Sequence, residues 1–467
     1  LNRNHIIVCD SNSIKENTED ALGIPAQDFV KEVNGIQIMR NSVLLGALCH
    51  VLGADLKILN KIFKKEYGKK AEPNMILAKK GYEFAKTKVR PILSIKKIGK
   101  PRQMMSGNTA ISLGAVKEGL DVYVSYPMTP ASSILHYLAA NKDKFKIKVV
   151  HPENEIGAIN MVIGSAFAGS KTMTGTSGGG FALMTEAVSL AGMSETPILI
   201  INSQRPGPST GVPTYTGQGD LNQALGAGHG EFPKIVLAPG THEQAFYKTA
   251  EALNLAWKYQ TPVILLSDKH LSESTVTVNL DETKIKPFKV KFGKGNKRYA
   301  LKKDGISPMI IPGTPKSVAK GTSYEHDEFG ITTENPDEII TMQEKRLAKM
   351  KTMSRDIEKL ETVKVQGSGT NVIVTWGSTT GAVLEAVRGI KNVKVVQVIY
   401  MEPFPAEQVH KHLKNAEKAV CIEANATGQL ADLILAKSGI MMDRLLKYDG
   451  RQFEPLQLAD ALRRWLK

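Results

Sequence analysis

Glu155 closes the segment His151-Pro-Glu-Asn-Glu155, which puts two carboxylates after the extended run Lys146-Ile-Lys-Val-Val150 and at the head of a glycine- and alanine-rich stretch. A carboxylate in that place is either favourable charge at a helix N-terminus or a buried group that protonates or polarises a ring nitrogen. Tyr126-Pro-Met-Thr-Pro130 leaves another extended run with two prolines that stiffen it, and Thr129 is its free hydroxyl. Such a loop either caps the next helix or orients a carboxylate. Arg205 stands in Asn202-Ser-Gln-Arg-Pro-Gly-Pro-Ser-Thr-Gly211, a loop braced by proline and glycine. A guanidinium held that way suits a two-point carboxylate contact.

Gly175-Thr-Ser-Gly-Gly-Gly180 has the look of a phosphate cradle, but a Walker loop continues with Gly-Lys-Ser/Thr and here Phe181 follows. The dinucleotide spacing is absent as well, so the glycines read as a strand-to-helix turn where backbones approach closely. Gly217-Gln-Gly-Asp220 supplies one carboxylate among neutral neighbours, too few for magnesium, and reads as a loop. Glu325-His326-Asp327-Glu328 gathers possible ligands, yet consecutive side chains rarely converge on one ion; no metal site is expected in this chain.

The elements that must carry these residues alternate. Helical patterns at 107–118, 155–168, 181–191 and 241–259 lie between short apolar runs at 121–125, 146–150, 173–176, 197–202 and 262–267. Alternation with turn residues at strand ends predicts an α/β fold, a parallel sheet with helices on both faces. Ligands in such sheets sit off the carboxyl ends of the strands. That rule selects the loops 126–130, 151–155 and 202–220. Upstream, 5–9 reads as a strand, 41–66 and 75–86 as helices and 88–100 as a linker. Downstream, 272–360 is irregular and ends in a charged helix from Glu338 to Glu361, 366–370 is a linker, and strands at 371–376, 393–399 and 418–423 with a helix at 380–390 form a second α/β domain.

At 467 residues the chain has room for about three domains of roughly 150 residues each. No apolar run reaches the roughly 18 residues of a membrane span, and no signal-peptide pattern is present. The opening at Leu1 without methionine reads as a chain whose start lies upstream. Cys9, Cys49 and Cys421 lie far apart, so neither a disulfide framework nor a cluster held by this chain alone is expected, and a reducing cytoplasm suits them. The net charge of +15 is uneven: residues 1–100 carry 18 basic and 10 acidic side chains, while 101–270 carry 12 of each. The excess avoids the glycine-rich middle and lacks a nucleic-acid motif. An acidic protein partner or an anionic substrate fits it at least as well as nucleic acid.

Taken together, Tyr126-Pro-Met-Thr-Pro130, Glu155-Ile-Gly-Ala158, Gly175–Gly180 and Ser203–Gly211, in this order and spacing, resemble the alpha subunit of a 2-oxoacid:ferredoxin oxidoreductase of the 2-oxoglutarate type. The resemblance continues through Tyr324–Gly330, Trp376–Thr379, Pro403-Phe-Pro405 and Glu423–Leu430. Residues 1–88 resemble the back half of the family's gamma domain fused ahead of alpha, without its glycine-rich opening.

The resemblance implies a partial gamma domain (1–88), a linker (89–103), a doubly wound pyrimidine-type thiamine diphosphate domain (104–270), a connecting segment (271–365) and a transketolase C-terminal-like domain (366–467). It implies decarboxylation of a 2-oxoacid on thiamine diphosphate, coenzyme A as acyl acceptor and ferredoxin as electron acceptor, by a reversible reaction. Glu155 matches the catalytic glutamate toward the pyrimidine ring, with Pro127 and Met128 also at the cofactor, and Thr129 and Arg205 match the residues that hold the oxoacid. Magnesium and a [4Fe–4S] cluster would be held by a beta subunit in a cytoplasmic hetero-oligomer. Pyruvate or a branched-chain 2-oxoacid is the alternative substrate. A basic scaffold or nucleic-acid-binding protein is the alternative of another class.

Overall fold

The computed structural model describes residues 7–14, 21–94 and 102–467. The chain divides into two compact units, Leu1–Pro101 and Arg102–Lys467. In the first, parallel strands Ile7–Asp10 and Ala21–Ile24 accompany the helices Ala26–Glu32, Arg40–Val51, Leu56–Tyr67 and Ala71–Lys88. The helix expected over 41–66 is therefore two helices. Between them Gly53 takes φ +61°, and Asp55 caps the second by accepting from Lys57 N–H. Helices Arg40–Val51 and Ala71–Lys88 cross where both are glycine. A Cβ at Gly46 would lie 1.8 Å from the Ala78 carbonyl, and one at Gly81 1.9 Å from that of Val43. Residues 5–6 of the expected strand 5–9 and residues 95–101 of the expected linker lie outside the described residues.

The second unit contains a seven-stranded sheet in the order Tyr400–Glu402, Ile235–Leu237, Pro262–Asp268, Ile198–Gln204, Thr172–Thr176, Val122–Val124, Lys148–Val150. All neighbours pair parallel except Tyr400–Glu402. Alternate side chains divide between two cores, as a strand's period of two requires. Ile198, Ile200, Ile264 and Leu266 face the helices Glu155–Phe167 and Gly178–Met193. Leu199, Ile201, Val263 and Leu265 face Gly107–Glu118 and His242–Tyr259. Both faces are thus covered, and continuous apolar strands result. Side-chain caps start these helices: Ser106 accepts from Thr109 N–H, Asn154 from Gly157 N–H and Thr241 from Gln244 N–H.

A five-stranded sheet follows, in the order Val363–Gly367, Val393–Val398, Asn371–Thr375, Lys418–Glu423, Asp443–Leu446. Gln366-Gly367, expected in a linker, end its antiparallel edge strand. Val372, Val374 and Trp376 from this sheet join the core of the first one, so the two layers pack directly.

The connecting segment, which has few regular elements before the helix Pro336–Ile357, is anchored by buried charge. Glu195, 1% exposed, is ion-paired with Lys345 and Lys349 of that helix. Arg298 donates to Gln260 Oε1 at 2.8 Å and to the Glu195 carbonyl at 2.9 Å. Burial alone would raise the Glu195 pKa, but the two lysines outweigh it and hold the carboxyl well below its usual range. Glu325 pairs with Arg346, and the ring of buried His326 lies 4.1 Å from that of Tyr299. The Glu325–Glu328 cluster thereby serves packing.

Candidate active site

Four neighbouring strands end at one edge, and the loops leaving them carry the residues singled out above. After Val122–Val124, Ser125 Oγ–H donates to the Gly175 carbonyl at 2.6 Å, tying this loop to the next strand. Asn108 Nδ2 holds the far end of the loop by donating to the Pro130 carbonyl at 2.8 Å. Between these anchors Pro127, Met128 and Thr129 are half-buried. Met128 Sδ accepts from Thr176 Oγ1 at 3.9 Å. The Tyr126 ring meets His151 edge-on at 5.8 Å.

After Lys148–Val150 the two carboxylates part. Glu153 is exposed, while Glu155 is 4% exposed and begins its helix. Glu155 Oε1 has no hydrogen-bond partner, and no cation pairs with this side chain among the described residues. Leaving such a group unsatisfied costs about 1–3 kcal/mol or more, so it is not a packing solution. The space it occupies exists because residue 180 is glycine. A Cβ there would lie 2.2 Å from Thr176 Oγ1 and 2.6 Å from Glu155 Oε1.

The glycines themselves correct the expectation of a turn: Gly178, Gly179 and Gly180 form the first helical turn of Gly178–Met193. The cap residue Ser177 supplies no side-chain bond to it. A helix N-terminus with bare N–H groups therefore opens at the site.

After Ile198–Gln204, half-buried Arg205 donates from Nη1 to the Thr129 carbonyl at 2.8 Å. The structure thus brings Thr129 and Arg205 together from positions 76 residues apart. Gln218, further along the same loop, fastens it to the C-terminal layer. Its Nε2 donates to the Trp376 carbonyl at 3.0 Å, and its Oε1 accepts from Thr379 Oγ1 at 2.8 Å and Ala424 N–H at 3.0 Å. Asp220 follows, with Oδ2 accepting from Asn202 Nδ2 at 3.2 Å. Burial pushes its carboxyl up to about 6 against the opposing pull of Asn202 and Arg205. Sequence reasoning set Gly217–Asp220 aside as a loop. The signal was available: polar residues spaced by glycines directly after the arginine loop.

A buried acceptor without a partner, beside a space kept open by glycine, fits a protonated ring nitrogen such as that of an aminopyrimidine. A cluster or metal finds no such match among the described residues. Cys9, Cys49 and Cys421 are free and separate, Cys421 Sγ–H donating to Glu423 Oε1 at 3.4 Å, and no three acidic, histidine or cysteine side chains converge. No described helix is long and apolar enough to cross a membrane.

Comparison with known proteins identifies the family. The profile of the thiamine diphosphate-binding region of pyruvate flavodoxin/ferredoxin oxidoreductases matches residues 113–345, and that of pyruvate ferredoxin/flavodoxin oxidoreductase matches 1–84. The alpha subunit of 2-oxoacid:ferredoxin oxidoreductase 1 from Sulfurisphaera tokodaii is 35% identical, over 99% of this chain and 76% of its own length. The 2-oxoglutarate oxidoreductase subunit KorA of Mycobacterium tuberculosis is 33% identical, over 92% of this chain and 68% of its own. A solved 2-oxoglutarate:ferredoxin oxidoreductase from Magnetococcus marinus, with 2-oxoglutarate, coenzyme A and succinyl-CoA bound, superposes with a TM-score of 0.88 at 33% identity, covering 97% of this chain and 82% of that one. With identity of this level along nearly the whole chain and the same overall fold, the chain belongs to the alpha subunits of the 2-oxoacid:ferredoxin oxidoreductases.

Proposed function

We propose that this chain forms one half of the active site of an enzyme that converts 2-oxoglutarate and coenzyme A to succinyl-CoA and CO2, passing electrons to ferredoxin. The observation that carries the proposal is the pairing, at one sheet edge, of a buried carboxylate without a partner with a threonine–arginine contact at 2.8 Å. Thiamine diphosphate supplies the electron sink for decarboxylation when bound. Glu155 would hold that cofactor's protonated ring nitrogen by accepting its hydrogen bond, which would favour the tautomer able to act as a base. Pro127 and Met128 hold the loop against the cofactor. Arg205 and Thr129 bind the substrate's 1-carboxylate and keep it still while charge develops beside it.

The Magnetococcus marinus enzyme, whose structure contains 2-oxoglutarate, supports that substrate over pyruvate or branched-chain acids. Its second carboxylate needs a further cation. In the 202–230 loop the basic side chains are Arg205 and exposed His229, so we assign that contact to a beta subunit. The same partner is assigned magnesium and the [4Fe–4S] cluster, and the assembly is a cytoplasmic hetero-oligomer. Within it, residues 1–88 are the gamma-type domain, 104–270 the pyrimidine domain and 366–467 the transketolase C-terminal-like domain.

The test is anaerobic co-expression with the neighbouring small subunit, followed by CoA-dependent reduction of ferredoxin or a viologen with a panel of 2-oxoacids. Turnover should be fastest with 2-oxoglutarate. Preference for another acid overturns the substrate assignment, and inactivity with all of them overturns the proposal. Added salt should slow ferredoxin reduction more than dye reduction, because the basic excess acts on an acidic protein and not on a small cation.

A further inference from the structure

The second sheet is doubly wound, and its ligand crevice is filled from within the chain. The helix Thr379–Ala386, which follows strand Asn371–Thr375, packs into the core on one face. The helix Ala406–Leu413, which precedes strand Lys418–Glu423, packs into the core on the other. The strand order therefore reverses between these two parallel neighbours. In an open α/β sheet, ligands bind at such a switch point, off the carboxyl ends of the strands.

Here the occupant is Gln218, 1% exposed. Its backbone N–H donates to the Ala424 carbonyl at 2.8 Å, and its carbonyl accepts from Asn425 Nδ2 at 3.2 Å. Its side chain meets the Trp376 carbonyl, Thr379 Oγ1 and Ala424 N–H, all just beyond the ends of the two strands. Gly377, with φ +53°, makes the room, since a Cβ there would lie 2.5 Å from Gln218 Nε2. Gln429 Nε2 closes the rim by donating to the Gly219 carbonyl at 2.9 Å.

The same short segment touches both neighbours of Arg205. On one side Asp220 N–H donates to Gln204 Oε1 at 3.0 Å. On the other, a Cβ on Gly217 would lie 3.3 Å from the Pro206 nitrogen, so the two backbones are in direct contact. The bond from Val212 N–H to the Pro206 carbonyl at 2.9 Å fixes the shape of the arginine loop. The Gln218 anchor fixes where that shape stands relative to Thr129, whose carbonyl receives Arg205.

We propose that Gln218 is a positioning residue for Arg205, and that the C-terminal layer uses its switch-point crevice to hold the substrate-binding loop instead of a ligand. The inference rests on the reading of Arg205 as the carboxylate-holding residue. A planar guanidinium makes a two-point contact only in the right orientation. A displacement of about 1 Å, caused far from the chemistry, can cost roughly a hundredfold.

The test joins steady-state kinetics of the assembled enzyme, with the 2-oxoacid that wild type turns over fastest, to hydrogen exchange of the 204–212 amides. Gln218→Met keeps the side chain's length and removes its hydrogen bonds. It should lower kcat/KM for the oxoacid by roughly tenfold or more, chiefly through KM, and speed exchange in 204–212. Gln429→Ala loosens only the rim and should shift both readouts the same way by a smaller factor. Gln397 bonds to Gln244 and joins the same two layers away from the arginine loop, so Gln397→Ala should lower the melting temperature and move neither readout. In an Arg205→Ala background Gln218→Met should cost no further kcat/KM. Unchanged kcat/KM or exchange in Gln218→Met, a loss confined to kcat, an equal loss in Gln397→Ala, or a full further loss in the Arg205→Ala background overturns the proposal. If Gln218→Met does not assemble, Gln429→Ala decides by the same readouts. Wild-type kcat/KM in Arg205→Ala instead overturns the reading of Arg205, and the inference falls with it.

Discussion

Two buried glutamates on neighbouring elements of one sheet domain have opposite surroundings. Glu195 is 1% exposed and is met by two lysines of a helix 150 residues away, with Arg298 closing on its backbone. Glu155 is 4% exposed, and its Oε1 meets nothing. Other buried carboxylates follow the first pattern. Glu118 takes Lys171 at 3.0 Å and Phe288 N–H at 2.7 Å, and Glu423 takes Trp376 Nε1 at 3.1 Å and the N–H groups of Leu430 and Ala431. Where a carboxylate serves the fold, its charge is met by cations or N–H groups from within the chain, as the two lysines meet Glu195. Where it is prepared for a ligand, the chain builds the hole and leaves the partner out.

The contrast is breakable by substitution. Glu155→Gln should lower turnover by roughly 10²- to 10⁴-fold in the assembled enzyme, the usual scale for a lost acid–base group. It should leave the melting temperature unchanged or higher, because an uncompensated charge is removed. A large fall in melting temperature with retained turnover would reverse the comparison and pass the catalytic role to Glu153. Glu195→Gln should do the opposite. Leaving two buried lysines without their anion costs about 3–5 kcal/mol by the precedent of broken buried pairs. Denaturant melts measure that loss, and the molecules that remain folded should turn over normally.

Gly180→Ala tests the hole itself. The new methyl group displaces Glu155 or Thr176, at about 1–3 kcal/mol of overpacking strain, and turnover should fall at least tenfold. Wild-type turnover in this variant would show that the glycine is not what makes room.

A pH series sharpens the same comparison. The Glu195 carboxyl is held below its ordinary value of 4.5 in the folded chain. Its stabilisation is therefore complete above pH 4.5 and is lost as pH falls below that value toward the folded pKa. The difference in stability between wild type and Glu195→Gln should be constant from pH 7 to 5 and shrink on further acidification. A difference that grows in acid would contradict the ion-pair account. The smallest effect is expected at Glu153, where the exposed carboxylate should tolerate glutamine within about 0.5 kcal/mol and without loss of turnover.

The molecule's local punctuation was open to reading. Ser106, Asn154 and Thr241 stand where caps are needed, and the motif loops follow the strands that carry them. Because the hydrogen bonds of a cap span only three residues, nearby letters suffice to predict them. The glycines 178–180 were read as a strand-to-helix turn of close backbone approach; the close approach is there, but the residues are helical. In the folded chain the close approach of Glu155, Thr176 and Asp220 requires a bare backbone there, and that need outweighs glycine's low helix propensity. The strand Tyr400–Glu402 was not read from the sequence; it lies within the second domain's sequence and edges the first sheet.

By itself the sequence determined the alternating α/β plan, the carboxyl-edge loops and the residue types that Glu155, Thr129 and Arg205 bring to them, because each depends on periodicity or on neighbours a few positions apart. The tertiary structure alone decided which buried carboxylate is paired and which is left open, that Arg205 reaches the Thr129 loop, and that Asp220 stands against Gly178. Those outcomes depend on groups tens to hundreds of residues apart, and on whether space or charge meets each carboxylate once the chain has closed around it.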